Sequence, residues 1–195
     1  MYEKKLDISA GAIFLLSALY FFGGLEALSV VLIAASVHEL GHIAAIKLFG
    51  GRIKSLRFEA SGLCMSCAGL DSTAKEVIAL LMGPAFGIAF AYIASYYGGK
   101  HYSEYLFSLA GVSLIFSLYN LLPALPLDGG RALFSMISDR KTAQKVLDIS
   151  GMAVGIVLIT AGLYFLGSEK GAAFLFAGIW VLIAQTGIVK SLGML

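Results

Sequence analysis

Charge is scarce in this chain. Of 195 residues only 14 are Lys or Arg and 12 are Asp or Glu, 13% together, while 59% are hydrophobic. Mean hydropathy is +0.89. A soluble globular domain carries about 25% charged residues, so that class is excluded and the chain reads as a membrane protein. No basic stretch is interleaved with aromatics, which leaves no groove for nucleic acid. Cysteine is nearly absent: Cys64 and Cys67 share one "CMSC" run, and a lone pair lacks the second pair that a structural zinc site needs. A reducing cytosol argues against a disulfide, so both are expected to be packing or incidental residues. There is no linker, low-complexity tract or repeat of fixed period. Residues 1–195 are expected to form a single domain.

Apolar runs fill the chain instead. Six of them approach the roughly 17–25 residues with which a helix crosses a bilayer: 6–22, 25–49, 74–97, 103–122, 143–166 and 172–189. They are continuous rather than alternating, which excludes a transmembrane sheet. No small-residue cleavage site follows the first, so it counts as a span. With the N-terminus inside, Lys4, Lys5, Lys47, Arg52, Lys54, Arg57, Lys75, Arg131, Arg140, Lys141, Lys145 and Lys190 are cytoplasmic, and only Lys100 and Lys170 are outside. That asymmetry sets the topology, with both termini in the cytoplasm. Tyr20, Phe21, Phe22, Tyr96, Tyr97, Tyr102, Tyr105, Tyr164 and Phe165 fall at the outer ends as an interfacial belt. Between spans two and three, runs 53–60 and 63–70 flank Ser61 and Gly62, the chemistry of a turn. The expected fold is all-α and polytopic, about six transmembrane helices with a cytoplasmic β-hairpin between helices 2 and 3.

Ionisable groups inside a span are costly and point to function. "HELGH" places His38 and His42 four residues apart on one helical face, about 6 Å from each other, with Glu39 beside them. This suits a zinc ion held by two imidazoles, with a carboxylate to take a proton from the water that the metal activates. The bland alternative is a pair of core histidines bonded to neighbouring helices. Gly41 permits close approach of another backbone. A third protein ligand is needed, and His101, in the outer loop "GGKHYSE", is on the wrong side. In "NLLPALPLDGGRALF", Pro123 and Pro126 break span four while Gly129 and Gly130 free the backbone around Asp128. Asp128 is the best third ligand. From spacing alone it serves equally well as the N-cap of a helix over 129–137.

Taken together, "HELGH" and, some ninety residues on, "NLLPALPLDGG" resemble the site-2 protease family of intramembrane zinc metalloproteases, peptidase family M50. The layout is similar to the branch containing archaeal site-2 proteases and the stage IV sporulation protease that processes a pro-sigma factor. The resemblance implies zinc on His38, His42 and Asp128, Glu39 as general base, and Asn120, Pro123 and Pro126 at the substrate. It implies hydrolysis of a peptide bond in or near the membrane segment of a bilayer-embedded protein, such as a pro-sigma or anti-sigma factor. One departure is Gly87, where many members have asparagine three residues after a Gly-Pro pair. No PDZ domain is inserted and no nucleotide-sensing (CBS) domain is expected at the C-terminus. Two rival readings are an inactive substrate-binding relative, which would be expected to have lost Glu39 or a ligand, and an ion transporter. The latter calls for paired broken helices in two related halves, and only one break is present.

Overall fold

The computed structural model describes residues 6–8, 10–59, 62–167 and 169–185. Its elements are β1 (Leu6–Ile8), α1 (Ala10–Leu48), β2 (Arg52–Glu59), β3 (Gly62–Ala68), α2 (Thr73–His101), α3 (Glu104–Asn120), α4 (Asp128–Met136), α5 (Arg140–Tyr164) and α6 (Glu169–Gln185). Among the described residues, three helical stretches are long and apolar enough to cross a membrane: Leu16–Leu48, Thr73–His101 and Arg140–Tyr164. Gly171–Ile183 is a shorter apolar helix.

The first two expected spans form the single element α1, and Gly24 divides them. Leu6, Asp7 and Ile8 pair in parallel with Leu56, Arg57 and Phe58 of β2, so the flanks of α1 lie side by side. An unbroken helix of 39 residues would hold its ends about 58 Å apart, further than the short flanking strands can recover. The chain must therefore reverse within α1. Gly24, with φ 69° and ψ −172°, is the non-helical residue inside it, in a region open to glycine.

The expected hairpin is present as β2 and β3, from Arg52↔Ala68 to Glu59↔Gly62. A further strand, β1, joins it in the order β1-β2-β3. The first expected span accordingly begins with a strand, Leu6–Ile8. Cys67 is a free, exposed thiol; the side chain of Cys64 lies outside the described residues.

In residues 1–119, one of two compact units, α1, α2 and α3 share a core. Val30, Ala94, Leu109 and Ala110 form one cluster, and Ala45, Ile46 and Ala79 form another. Ser72 caps α2 by accepting from the Lys75 N–H, and Tyr102 ends it in the left-handed region at φ 51°. Most of the aromatic belt is exposed, as at Phe21, Phe22, Tyr96, Tyr102 and Tyr164. Tyr105 departs from it: its hydroxyl pairs with Ser29 Oγ at 2.9 Å.

The second unit covers residues 120–195. Asp139 caps α5, accepting from the backbone of Lys141 and Thr142. The Thr142 hydroxyl, then the Thr142 N–H, holds its carboxyl below the usual carboxylate range. α5 and α6 run antiparallel, with Gly155 against Gly178 and Gly162 against Gly171. These small residues let two apolar helices approach at backbone distance, where dispersion contacts replace an absent hydrophobic drive.

Candidate metal centre

The second arm of α1 carries His38 and His42 one turn apart, both buried, with Glu39 half-buried beside them. Their positions are set by small residues. A Cβ on Gly41 would land on the carbonyl oxygen of Met82, so only glycine lets α1 approach α2 this closely. A Cβ on Gly83 would collide with the imidazole of His42. Pro84, one residue on, is fully buried in α2 and supplies no N–H to the helix.

His42 Nδ1 lies 2.8 Å from the carbonyl oxygen of Ala79. A carbonyl can only accept, so Nδ1 carries the proton, and in the neutral ring the Nε2 lone pair faces away. A backbone acceptor that fixes the tautomer is the usual support of a metal-binding histidine. Nε2 of His42 stands 3.2 Å from Nε2 of His38. Two nitrogens on one tetrahedral zinc, each at about 2.0–2.1 Å, are separated by roughly 3.3–3.4 Å. The pair is spaced as a shared cation requires. The Phe116 ring meets His38 edge-on, 4.9 Å between centroids, and gives the site an apolar wall.

Asp128 is the first residue of α4, and its side chain is buried. The helix is capped by Leu127 without a side-chain bond, so the capping role open to Asp128 from sequence is not the one it takes. Before Asp128, residues 121–127 fold into turns closed by Ala124 N–H to Leu122 O at 2.8 Å and Leu127 N–H to Ala124 O at 2.9 Å. Ser150 Oγ donates to the Pro123 carbonyl at 2.5 Å.

Gly129 and Gly130 correct the expectation placed on them. Both are helical, and their service is room rather than conformational freedom. A Cβ on Gly129 would strike Leu121 O, and one on Gly130 would strike Ala124 O. Loop 121–127 can therefore lie against the first turn of α4.

His38 and His42 belong to the unit of residues 1–119 and Asp128 to the unit of residues 120–195, and all three side chains are buried. Two imidazoles and a carboxylate are a donor set of catalytic zinc, which keeps a fourth position for water or substrate. Asn120 ends α3 and is half-buried; Pro123 is exposed and Pro126 half-buried in the loop that follows. His101 is the last residue of α2 rather than a loop residue, exposed and stacked on Tyr97. Sequence reasoning missed the Ala79 carbonyl and the Phe116 wall. A backbone acceptor leaves no trace in sequence, and Phe116 reads as any apolar helix residue.

Comparison with known proteins agrees. Residues 97–162 match the model of peptidase family M50, a stretch that holds Asp128 but not the two histidines. The chain is 28% identical over 178 residues to Rip3 of Mycobacterium tuberculosis, a protein with a zinc-metalloprotease name, covering 85% of this chain and 44% of Rip3. It is 32% identical over 130 residues to stage IV sporulation protein FB of Bacillus subtilis, covering 63% of this chain and 44% of that one. It thus spans less than half the length of these curated relatives. The solved structure of the site-2 protease from Methanocaldococcus jannaschii shares the fold with a TM-score of 0.70 at 17% identity, covering 93% of this chain and 88% of that one. The chain is thus similar in sequence to peptidase family M50 over residues 97–162 and to proteins named as zinc metalloproteases, and similar in fold to a site-2 protease.

Proposed function

We propose that this chain is an intramembrane zinc metalloprotease that hydrolyses a peptide bond within or beside the transmembrane segment of a bilayer-embedded protein. The observation that carries the reading is the buried pair His38 and His42, one turn apart with Glu39 alongside, on a helix otherwise long and apolar enough to cross a membrane. Buried polar groups of this kind are costly in lipid and persist where they have chemistry to do.

In this reading the two arms of α1, with α2, α3, α5 and α6, are six spans, and residues 1–195 act as the protease domain. A membrane-held pro-sigma or anti-sigma factor is the kind of substrate such a site would process. His38, His42 and Asp128 hold the zinc. When bound, it supplies Lewis-acid chemistry, polarising the scissile carbonyl and acidifying water to about neutral pH. Glu39 is the general base: its carboxylate takes a proton from the attacking water and delivers it to the leaving amine. The His42 bond to Ala79 keeps one imidazole in its working tautomer. Asn120, Pro123 and Pro126 flank the substrate.

His42 lies six residues from the end of α1 at Leu48, about 9 Å of helix, so water enters from the side where β2 and β3 stand. β2 is already paired on both edges. Of the two outer edges, that of β3, seven residues long against three in β1, offers the longer ladder to an extended substrate by strand addition.

The metal assignment is tested by substitution. The purified chain is expected to bind about one zinc, as two imidazoles and a carboxylate provide, with occupancy lost or greatly weakened in His38→Ala, His42→Ala and Asp128→Ala by metal analysis. Full zinc and full activity in Asp128→Ala would leave the third ligand elsewhere. Topology is tested separately. Cysteines placed one at a time at positions 100 and 170 are expected to react with membrane-impermeant reagents from outside the cell; cytoplasmic labelling at either would reverse the orientation and the side of water entry.

A further inference from the structure

Hydroxyls inside apolar helices ordinarily bond back to a carbonyl of the preceding turn. Ser29 Oγ does so to Glu26 O at 2.7 Å, and Thr160 Oγ1 to Ile156 O at 2.7 Å. Ser113 and Ser117 of α3 do not. Their side chains are 1% and 0% exposed, and neither Oγ has a hydrogen-bond partner among the described residues. Four residues apart, they stand on one face of the helix.

Their place relative to the histidines follows from α2. A Cβ on Gly83 would strike His42 Nε2, and a Cβ on Gly87 would strike Ser117 Oγ. Gly83 and Gly87 are one turn apart, with such positions about 6 Å from each other. The Ser117 hydroxyl thus lies one helical turn along α2 from the nitrogen that faces the metal. On α3 its neighbour Phe116 packs against His38. Across from the Ser117 hydroxyl stands Gly87, which puts no side chain between that hydroxyl and the backbone of α2.

We propose that Ser117, backed by Ser113, is a substrate subsite beside the metal, where the hydroxyl hydrogen-bonds a peptide group of the unwound transmembrane segment. The inference rests on the protease reading above. A span unwound for hydrolysis exposes N–H and C=O groups where there is no bulk water, and each must find a partner. A serine hydroxyl can donate to one and accept from the other. Two such hydroxyls without partners in the resting protein are complementary to that backbone.

The test uses Ser117→Ala and Ser113→Ala in the full chain. Cleavage is assayed in phosphatidylcholine vesicles on a panel of single-span membrane proteins, keeping one that the wild-type chain cuts and Glu39→Gln spares. For Ser117→Ala the expected result is an unchanged or higher unfolding temperature, unchanged zinc, and a KM raised about tenfold with kcat within about twofold. Ser113→Ala is expected to move KM in the same direction by less. A lower unfolding temperature in Ser117→Ala would show a hydroxyl bonded within the protein or to a trapped water, and would overturn the proposal. So would an unchanged KM. If the wild-type chain cuts no member of the panel in a Glu39-dependent way, the protease reading itself fails and the subsite falls with it.

Discussion

Glu39→Gln is expected to bind zinc as the wild-type chain does, unfold at the same temperature, and cleave a single-span substrate at least roughly 10²–10⁴-fold more slowly. Glutamine has the shape of glutamate and keeps a carbonyl oxygen for hydrogen bonding, so the packing of a half-buried side chain is preserved. What it cannot do is take up a proton. Adjacent to His38 on α1, Glu39 points off the face that His38 and His42 share, because successive helical residues are about 100° apart. In the proposed reading it stands beside the metal site rather than within its ligand set. Metal analysis and a cleavage assay on the same preparation decide the matter. Cleavage at the wild-type rate would sink the general-base assignment; loss of zinc would make Glu39 a ligand or a support for one.

Gly83→Ala is expected to weaken zinc binding roughly 10–100-fold, the effect of disturbing a partner that orients a metal-binding histidine. The added methyl would occupy the space of the His42 imidazole. That ring has little freedom to move aside, since it is 8% exposed and tied to the Ala79 carbonyl at 2.8 Å. Gly111→Ala is the matched control, because nothing lies within 4 Å of a Cβ there, and its zinc affinity should equal the wild type. Competition with a chelator measures both. Equal affinity in Gly83→Ala would mean that α2 yields instead, and that the close approach at Gly83 does not hold the histidine in place.

Much of the site was legible because its logic is local. The i, i+4 spacing of His38 and His42 forces them onto one helical face wherever the helix lies, and two prolines within four residues must end a helix near Asp128. The hairpin was legible for the same reason, as an alternation of extended runs about a Ser-Gly turn. What escaped depends on distant neighbours. Three residues of β1 acquire meaning only by pairing some fifty positions away, and no propensity in "LDI" announces it. Gly24 could be read as a boundary, but that it turns the chain back within one element follows from the pairing of β1 with β2. Gly129 and Gly130 were assigned to backbone freedom, whereas the carbonyls that crowd them belong to a loop whose path is not written in any short window. Ser113 and Ser117 look like any small helical residues until their surroundings are known.

The clasp between β1 and β2 also orders the biogenesis of the protein. Helical arms on either side of Gly24 form from local bonds as each leaves the ribosome. β1 has no partner until residues 56–58 have been synthesised. Long-range parallel pairing closes a large loop and is intrinsically slow, so the three-stranded sheet is a late event that follows the helical arms it joins.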